Sequence, residues 1–278
     1  MTGRTKIEWT DRSWNPITGC TRVSPGCAHC YAARLAEGRL RNRYLENADC
    51  LSPDRADDPF AVRIWRGRFD HPKAWKTPRM IFVNSLSDLF HVDVPEELIR
   101  EFLNVMLEAD WHVYQILTKR PARAADILSR LPGFGGLPDH IWIGTSIESQ
   151  RYVYRASHLC SVPAAVRFLS LEPLLGPIEL PYREMRSISW VIVGGESGPG
   201  ARPLELRWIR SLRDQCHSFE VLVPFFVKQL GSAWAKDPTL RALTDIGLPR
   251  DSAGGDPDEW PRDLRIREWP GAWRRSQT

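Results

Sequence analysis

Thr18-Gly19-Cys20-Thr21-Arg22-Val23-Ser24-Pro25-Gly26-Cys27-Ala28-His29-Cys30-Tyr31 holds three of the six cysteines of the chain. Six residues separate Cys20 from Cys27, and two separate Cys27 from Cys30. Gly19, Pro25 and Gly26 keep the stretch a loop, because glycine reaches positive φ cheaply and proline resists a helix. A loop lets three thiolates converge on one point. A structural zinc site wants four ligands, usually two Cys-x-x-Cys knuckles or a knuckle plus a histidine pair. Here the fourth would be His29, Cys50 or a distant residue. A four-iron cluster also has four corners and takes cysteine as its usual ligand. Three cysteines leave one iron open, and an open iron is what the methionine amino and carboxylate groups of S-adenosylmethionine (SAM) can chelate. Such a cofactor carries radical chemistry while the protein positions it.

Outward from the loop, residues 5–19 read as a strand or extended arm carrying Trp9 and Trp14 into the cysteines. Residues 31–37 are rich in helix formers, and a helix starting there points its free N–H groups toward a negatively charged cluster. Residues 46–79 read as an irregular excursion with a short strand at 61–65. From residue 80, short apolar runs alternate with helical segments. The runs are Met80-Ile81-Phe82-Val83, Val113-Tyr114-Gln115-Ile116-Leu117, Ile141-Trp142-Ile143-Gly144, Val166-Arg167-Phe168-Leu169, Trp190-Val191-Ile192-Val193 and Val223-Pro224-Phe225-Phe226-Val227. Their β-branched and aromatic content marks strands buried on both faces. Helices are expected from Pro95, over 122–131, over 150–159 and over 206–216. This alternation predicts a parallel sheet with helices outside, and six such strands plus one leading into the cysteine loop predict a partial or full β/α barrel. Residues 232–278 break the pattern and read as a C-terminal appendage packed on a barrel of residues 1–231, with one short strand at 263–270.

Polar residues follow the apolar runs directly: Asn84-Ser85, Thr118-Lys119-Arg120, Thr145-Ser146-Ile147-Glu148, Ser170-Leu171-Glu172, Gly194-Gly195-Glu196 and Lys228-Gln229. In a β/α barrel all these ends open onto one face, where active sites form. Loops are polar anyway, but that does not account for charged groups placed immediately at strand ends. Lys119 or Arg120 could pair with the methionine carboxylate of SAM. Glu172 and Lys228 are the expected catalytic residues, facing a substrate in the mouth.

The closing Cys-x-x-Cys with a longer first gap resembles a variant radical-SAM cluster motif. Flanking text, Lys6-Ile7-Glu8-Trp9-Thr10-Asp11 through Trp14-Asn15-Pro16, resembles the phage gp thirty-seven / gp sixty-eight family of three-cysteine proteins. So do the stretch from Phe82 to His91, Leu117-Thr118-Lys119-Arg120-Pro121, Leu169-Ser170-Leu171-Glu172-Pro173-Leu174 and Gly194-Gly195-Glu196-Ser197-Gly198. The resemblance implies a radical-SAM-like barrel holding a 4Fe-4S cluster on Cys20, Cys27 and Cys30, with SAM as small-molecule cofactor and an electron donor as partner. It implies His29 near the adenine, and Gly194, Gly195 and Glu196 as a Gly-Gly-Glu motif at the methionine ammonium. In the superfamily that motif follows an early strand; here it follows a late one. Asn84, Ser85, Lys119, Arg120 and Glu148 complete the expected cofactor surroundings. The rival class is a zinc- or cluster-stapled binding protein without turnover, with nucleic acid as one candidate partner.

Composition is close to that of ordinary globular chains, and the net charge of +4 is mild, so it does not by itself announce a nucleic-acid binder. The 278 residues can bury one full core. Twelve tryptophans are many for this length, and each is more readily a core residue than a base-stacking one. No apolar run is long enough to span a bilayer, and residues 1–4 lack the apolar core of a signal peptide. The expectation is a cytoplasmic protein with no membrane partner, whose thiols stay reduced. Cys50, Cys160 and Cys216 are scattered and read as idle thiols.

Overall fold

The described residues include ten strands: β1 (Arg12–Trp14), β2 (Ile17–Thr18), β3 (Asp49–Cys50), β4 (Arg63–Ile64), β5 (Met80–Val83), β6 (Val113–Thr118), β7 (Leu137–Ser146), β8 (Ala164–Leu171), β9 (Trp190–Gly194) and β10 (Phe225–Gln229). Seven of them form one sheet in the order β1-β5-β6-β7-β8-β9-β10, every neighbouring pair parallel. The remaining three make a small antiparallel sheet, β2-β4-β3, beside the cysteine loop. This computed structural model describes residues 5, 7–131, 136–218, 222–239 and 250–271. The barrel is partial, with β1 and β10 as its two end strands.

Helices fill the crossovers, as parallel pairing requires. They are α1 (Tyr31–Glu37), α2 (Arg41–Asn47), α3 (His71–Ala74), α4 (Glu96–Glu108), α5 (Pro121–Arg130), α6 (Tyr154–Cys160), α7 (Tyr182–Met185) and α8 (Leu206–Cys216), while α9 (Ser232–Lys236) follows β10. In α4 the apolar residues Leu98, Ile99, Phe102, Leu103, Val105 and Met106 share the buried face, while Glu96 and Glu97 occupy the first turn, where the helix dipole favours acids. Residues 150–152 form a separate 3-10 turn before α6, so the helix expected over 150–159 is broken at its start. Among the described residues, no helix is long and apolar enough to cross a membrane.

Side chains alternate faces along each strand, so the shared register stacks them in layers. Phe82, Gln115, Trp142 and Val166 lie side by side, then Leu117, Gly144, Phe168 and Trp190, then Ser146, Ser170, Ile192 and Phe226. The lower layers form a concave apolar cluster centred on Trp142, Phe168 and Trp190. Trp9 comes from the N-terminal arm rather than from a strand. Its ring lies 4.7 Å from Phe82, 6.3 Å from Phe168 and 6.4 Å from Trp190, and its carbonyl accepts from Gln115 Nε2 at 3.2 Å. The arm thereby plugs the lumen. An aromatic side chain of roughly 200 Å² buried at about 25 cal/mol per Å² is worth about 5 kcal/mol before entropy is counted.

Two expectations differ from the structure. The last strand starts at Phe225 instead of Val223, because Pro224 has no N–H for the ladder; Lys228 and Gln229 therefore lie inside it. Residues 263–270 are not a strand: a 3-10 turn, Arg262–Leu264, is followed by a single antiparallel bridge from Arg267 to Phe226. Pro261 and Pro270 bracket that stretch. It still covers the β10 edge, with Glu268 N donating to the Phe225 carbonyl at 3.0 Å and Val227 N to the Ile266 carbonyl at 2.9 Å.

Gly144 is required by the lumen packing, since a Cβ there would stand 2.4 Å from the Phe168 ring. Gly144→Ala is expected to lower stability by about 1–3 kcal/mol, the usual cost of overpacking, in urea unfolding. Adding Phe168→Leu should recover part of that loss; if it deepens the loss additively, the two sites do not compete for the same space.

Candidate functional site

The cavity at the carboxyl ends of the strands follows from the same alternation. Two residues above each apolar layer the inward positions turn polar: Asn84, Lys119, Ser146, Ser170, Glu172 and Lys228 all line one cavity of about 950 Å³. Cys20, Cys27, His29 and Cys30 line it from above, as do Ser85, Arg120, Gly195 and Glu196. Its lower wall includes Ile7, Glu8, Trp9, Phe82 and Leu117.

Glu172 and Lys228 form an ion pair, Oε1 to Nζ at 3.0 Å, and Ser170 Oγ donates to Glu172 Oε2 at 3.1 Å. Burial alone would lower the Lys228 ammonium, but Glu172 and, more weakly, Glu8 outweigh it and raise its pKa. Burial likewise raises the Glu8 carboxyl. Gly194 leaves room for this pair: a Cβ on it would come within 2.9 Å of Glu172 Oε1. A Cβ on Gly195 would meet the Leu230 carbonyl at 2.3 Å. These glycines thus give room to other parts of the protein; Gly195 lines the cavity, and Gly194 does not.

Asn84 is held at φ 54°, a left-handed conformation that asparagine tolerates better than most residues. Its N–H donates to the Trp14 carbonyl at 2.8 Å and its Oδ1 accepts from Ile17 N at 3.3 Å. Nδ2 is buried with no partner among the described residues, as is Trp9 Nε1. Ser85 Oγ donates to Asn15 Oδ1 at 3.2 Å, and the Ser85 carbonyl accepts from the Tyr31 hydroxyl.

Two tethers hold the cysteine loop. Around Cys20, Asp88 Oδ2 accepts from Lys119 N at 3.1 Å and from Arg120 Nη1 at 2.9 Å. Arg120 also reaches Cys20 Sγ at 3.7 Å and Thr21 Oγ1 at 2.8 Å. Its guanidinium is thus committed to the loop, so Lys119 is the better-placed cation for a cofactor carboxylate. His91 Nδ1 accepts from Asp93 N at 3.1 Å, which makes Nε2 the donor to Thr21 Oγ1 at 2.8 Å. That neutral form is stable here, because burial, followed by Arg120, brings the His91 pKa down to about 4. Burial pushes the Cys20 thiol up to about 11, Asp88 adding to the rise and Arg120 opposing it.

The second tether starts from Glu196. Its Oε2 receives Arg202 N at 3.0 Å, Arg202 Nε at 2.9 Å and the His29 ring at 2.9 Å, and its Oε1 receives Arg202 Nη2 at 2.6 Å. Arg202 Nη1 continues to the Pro25 carbonyl at 3.1 Å. Glu196 is therefore not a free carboxylate awaiting an ammonium; it clamps the loop through His29 and Arg202. His29 is drawn to Glu196 instead of being left as an unattached ring at an adenine.

Glu148 is the clearest misplacement. β7 ends at Ser146, so the alternation that would have aimed residue 148 into the cavity has already stopped. The side chain is fully buried beneath Gly26 and paired with Arg155 at 3.1 Å. Asp88, Arg202 and Glu8 were missed as site residues. Asp88 lay within a stretch singled out for resemblance, Ser146 and Ser170 were readable from strand parity, and nothing in the sequence pointed to Arg202.

All six cysteines are free thiols. Among the described residues, no three of His, Cys, Asp or Glu stand in a ready coordination geometry. Three soft thiol donors on one loop, lining one cavity, are nevertheless the donor chemistry an iron–sulfur cluster takes.

The chain belongs to the family described as "Protein of unknown function (DUF5131)", which matches residues 4–261. No curated protein matches it. Solved structures similar to it include a singly substituted spore photoproduct lyase (12% identity, TM-score 0.42, covering 77% of this chain and 63% of that one). Another is spore photoproduct lyase complexed with dinucleoside spore photoproduct (10% identity, TM-score 0.41, 77% and 63%). A third is a doubly substituted variant with bound AdoMet and dinucleoside spore photoproduct (12% identity, TM-score 0.42, 70% and 58%). The chain spans less than two thirds of the length of these three structures.

The Glu196 clamp has a pH signature. Burial raises its carboxyl, but hydrogen bonds from the Arg202 side chain and backbone and from His29 outweigh that and bring the pKa from 4.5 to about 2. A depressed carboxylate stabilises the fold fully above its unfolded pKa, and the contribution is lost as pH falls through the folded value. Glu196→Gln is therefore expected to cost about 1–3 kcal/mol at neutral pH, to flatten the stability profile between pH 4.5 and about 2, and to speed amide exchange over residues 25–30. Unchanged exchange in that loop would show that the clamp does not hold it.

Proposed function

We propose that this chain is a radical-SAM-type iron–sulfur protein of the phage gp thirty-seven / gp sixty-eight kind. In this reading Cys20, Cys27 and Cys30 hold a 4Fe-4S cluster, SAM occupies the cavity beside it, and an external electron donor supplies the reducing electron. The observation that carries the reading is the meeting of three free thiols and the polar strand ends at one cavity. When bound, the cluster and SAM supply a carbon radical by reductive cleavage of the sulfonium, able to abstract hydrogen from a substrate.

The chain's own residues do the rest. Arg120 and Thr21 hold the Cys20 end of the loop, and Glu196, Arg202 and His29 hold the other end. Lys119 and the unpartnered Asn84 Nδ2 offer donors to a carboxylate. Lys228 Nζ keeps its proton beside Glu172 Oε1, a charge pair able to orient a polar substrate group at the cavity wall. A cavity of this size suits a drug-sized ligand.

One observation favours the second reading, a zinc-stapled binding protein. His29 is fixed through Nδ1 by a carboxylate, the arrangement that orients histidine ligands on zinc. Metal and sulfide analysis after anaerobic purification separates the two: iron with matching sulfide, or colourless zinc.

Cys20→Ala, Cys27→Ala and Cys30→Ala should each abolish iron binding, while alanine at Cys50, Cys160 or Cys216 should leave it intact. Protein that is reduced and given SAM should release 5′-deoxyadenosine. Lys119→Met should weaken SAM binding by about 1.5–3 kcal/mol in calorimetry, the size of a hydrogen bond to a charged group, with iron content unchanged. A loaded cluster that neither binds nor cleaves SAM would rule the radical reading out.

A further inference from the structure

Three acids of the cavity are taken by cations. Among the described residues two more, Glu8 low on its wall and Asp251, which accepts from the Ala253 and Gly255 N–H groups, line it without an ion pair; the cations at the mouth are unpaired as well. Glu172 pairs with Lys228, Glu196 with Arg202 and Asp88 with Arg120, whereas Arg22, Arg34, Arg39 and Lys119 form no ion pair among the described residues. Arg34, Arg39 and Lys119 line the main cavity, and Arg22 lines a smaller one that shares Cys20 and Thr21 with it. Arg22, Arg34 and Arg39 are exposed. Arg34 donates a long bond of 3.4 Å from Nη2 to the Ser197 carbonyl. Among them stands Tyr31, 46% exposed on the same cavity rim, its ring fixed because its hydroxyl donates to the Ser85 carbonyl.

Three exposed guanidiniums and an ammonium spread around a mouth exceed what a single small anion would use. They match a chain of repeated anions, and the planar guanidinium fork suits phosphate. An exposed, immobilised aromatic ring beside such cations offers a platform on which a base can stack. We propose that the mouth binds a single-stranded nucleic acid, its phosphates on Arg22, Arg34, Arg39 and Lys119, with one nucleotide turned over Tyr31 into the cavity. This names a substrate class for the cavity and rests on reading that cavity as the reacting site.

The test is fluorescence anisotropy of the full chain, purified anaerobically, with a labelled oligothymidylate of about 15 nucleotides, at salt from about 50 to 200 mM. R34Q/R39Q should weaken binding about tenfold and lower the slope of log K against log salt by about 1.4, two contacts at roughly 0.7 each on a single strand. Y31A should weaken it about 5- to 100-fold with the slope unchanged, because stacking and not charge is lost. R183Q/R186Q should change neither: these exposed arginines sit on and just after α7, which leads into the start of β9 at the far end of the sheet. No binding in that salt range would overturn the proposal, and so would equal losses in the two arginine pairs. Displacement of the oligonucleotide by polyglutamate as effectively as by unlabelled oligonucleotide of equal charge would also overturn it, marking a surface for an acidic protein. The measurement needs neither iron nor SAM, so it succeeds or fails separately from the cluster analysis.

Discussion

Parallel pairing is the constraint on which the rest depends. Seven strands pointing one way place all their carboxyl ends at one rim, and a shared register makes every second residue face the same concavity. From the lower layers that concavity receives Phe82, Trp142, Phe168 and Trp190, and from the rim Asn84, Lys119, Ser146, Ser170, Glu172 and Lys228. An apolar floor under a polar rim is thus one pattern read at two heights. Trp9 completes the floor from outside the sheet, and the partial barrel becomes a cup instead of a channel.

The cysteine loop has little apolar content of its own with which to fix itself. It is held by charge instead, Arg120 and Asp88 at one end, Arg202 and Glu196 at the other. Burying a carboxylate costs several kcal/mol unless its oxygens are satisfied. Both acids meet that condition: Glu196 accepts four hydrogen bonds from Arg202 and His29, and Asp88 accepts from Thr118, Phe90, Lys119 and Arg120. A charged tether of this kind fixes position more than it adds net stability. A loop that must present three thiols to one point needs position.

The same economy explains the glycines. Gly144 yields its space to Phe168, and Gly194 to the Glu172 carboxylate. In both cases a missing side chain is what allows a group from the neighbouring strand or its end to occupy the concave face.

The sequence alone determined the alternation of strands and helices, the parallel sheet, the place of the cysteine loop after the first strand, and five of the six charged or amide strand ends that meet at the cavity. These follow from local periodicity, which is carried by neighbouring residues and survives without a structure. One residue past a strand's end the alternation still held, at Asn84, Lys119 and Glu172, but two residues past it direction was not legible. Glu148 and Glu196 both follow their strands, at Ser146 and Gly194, and there the two-residue alternation no longer fixes direction. Glu148 turned into the core against Arg155, and Glu196 turned to Arg202 and His29. The partners of a buried charge come from distant segments, 167 positions apart for His29 and Glu196, and no local pattern encodes such a pairing. Only the tertiary structure decided which acids face the cavity and which hold the loop above it, because desolvation compels each buried charge to find its counter-charge wherever the fold has brought one near.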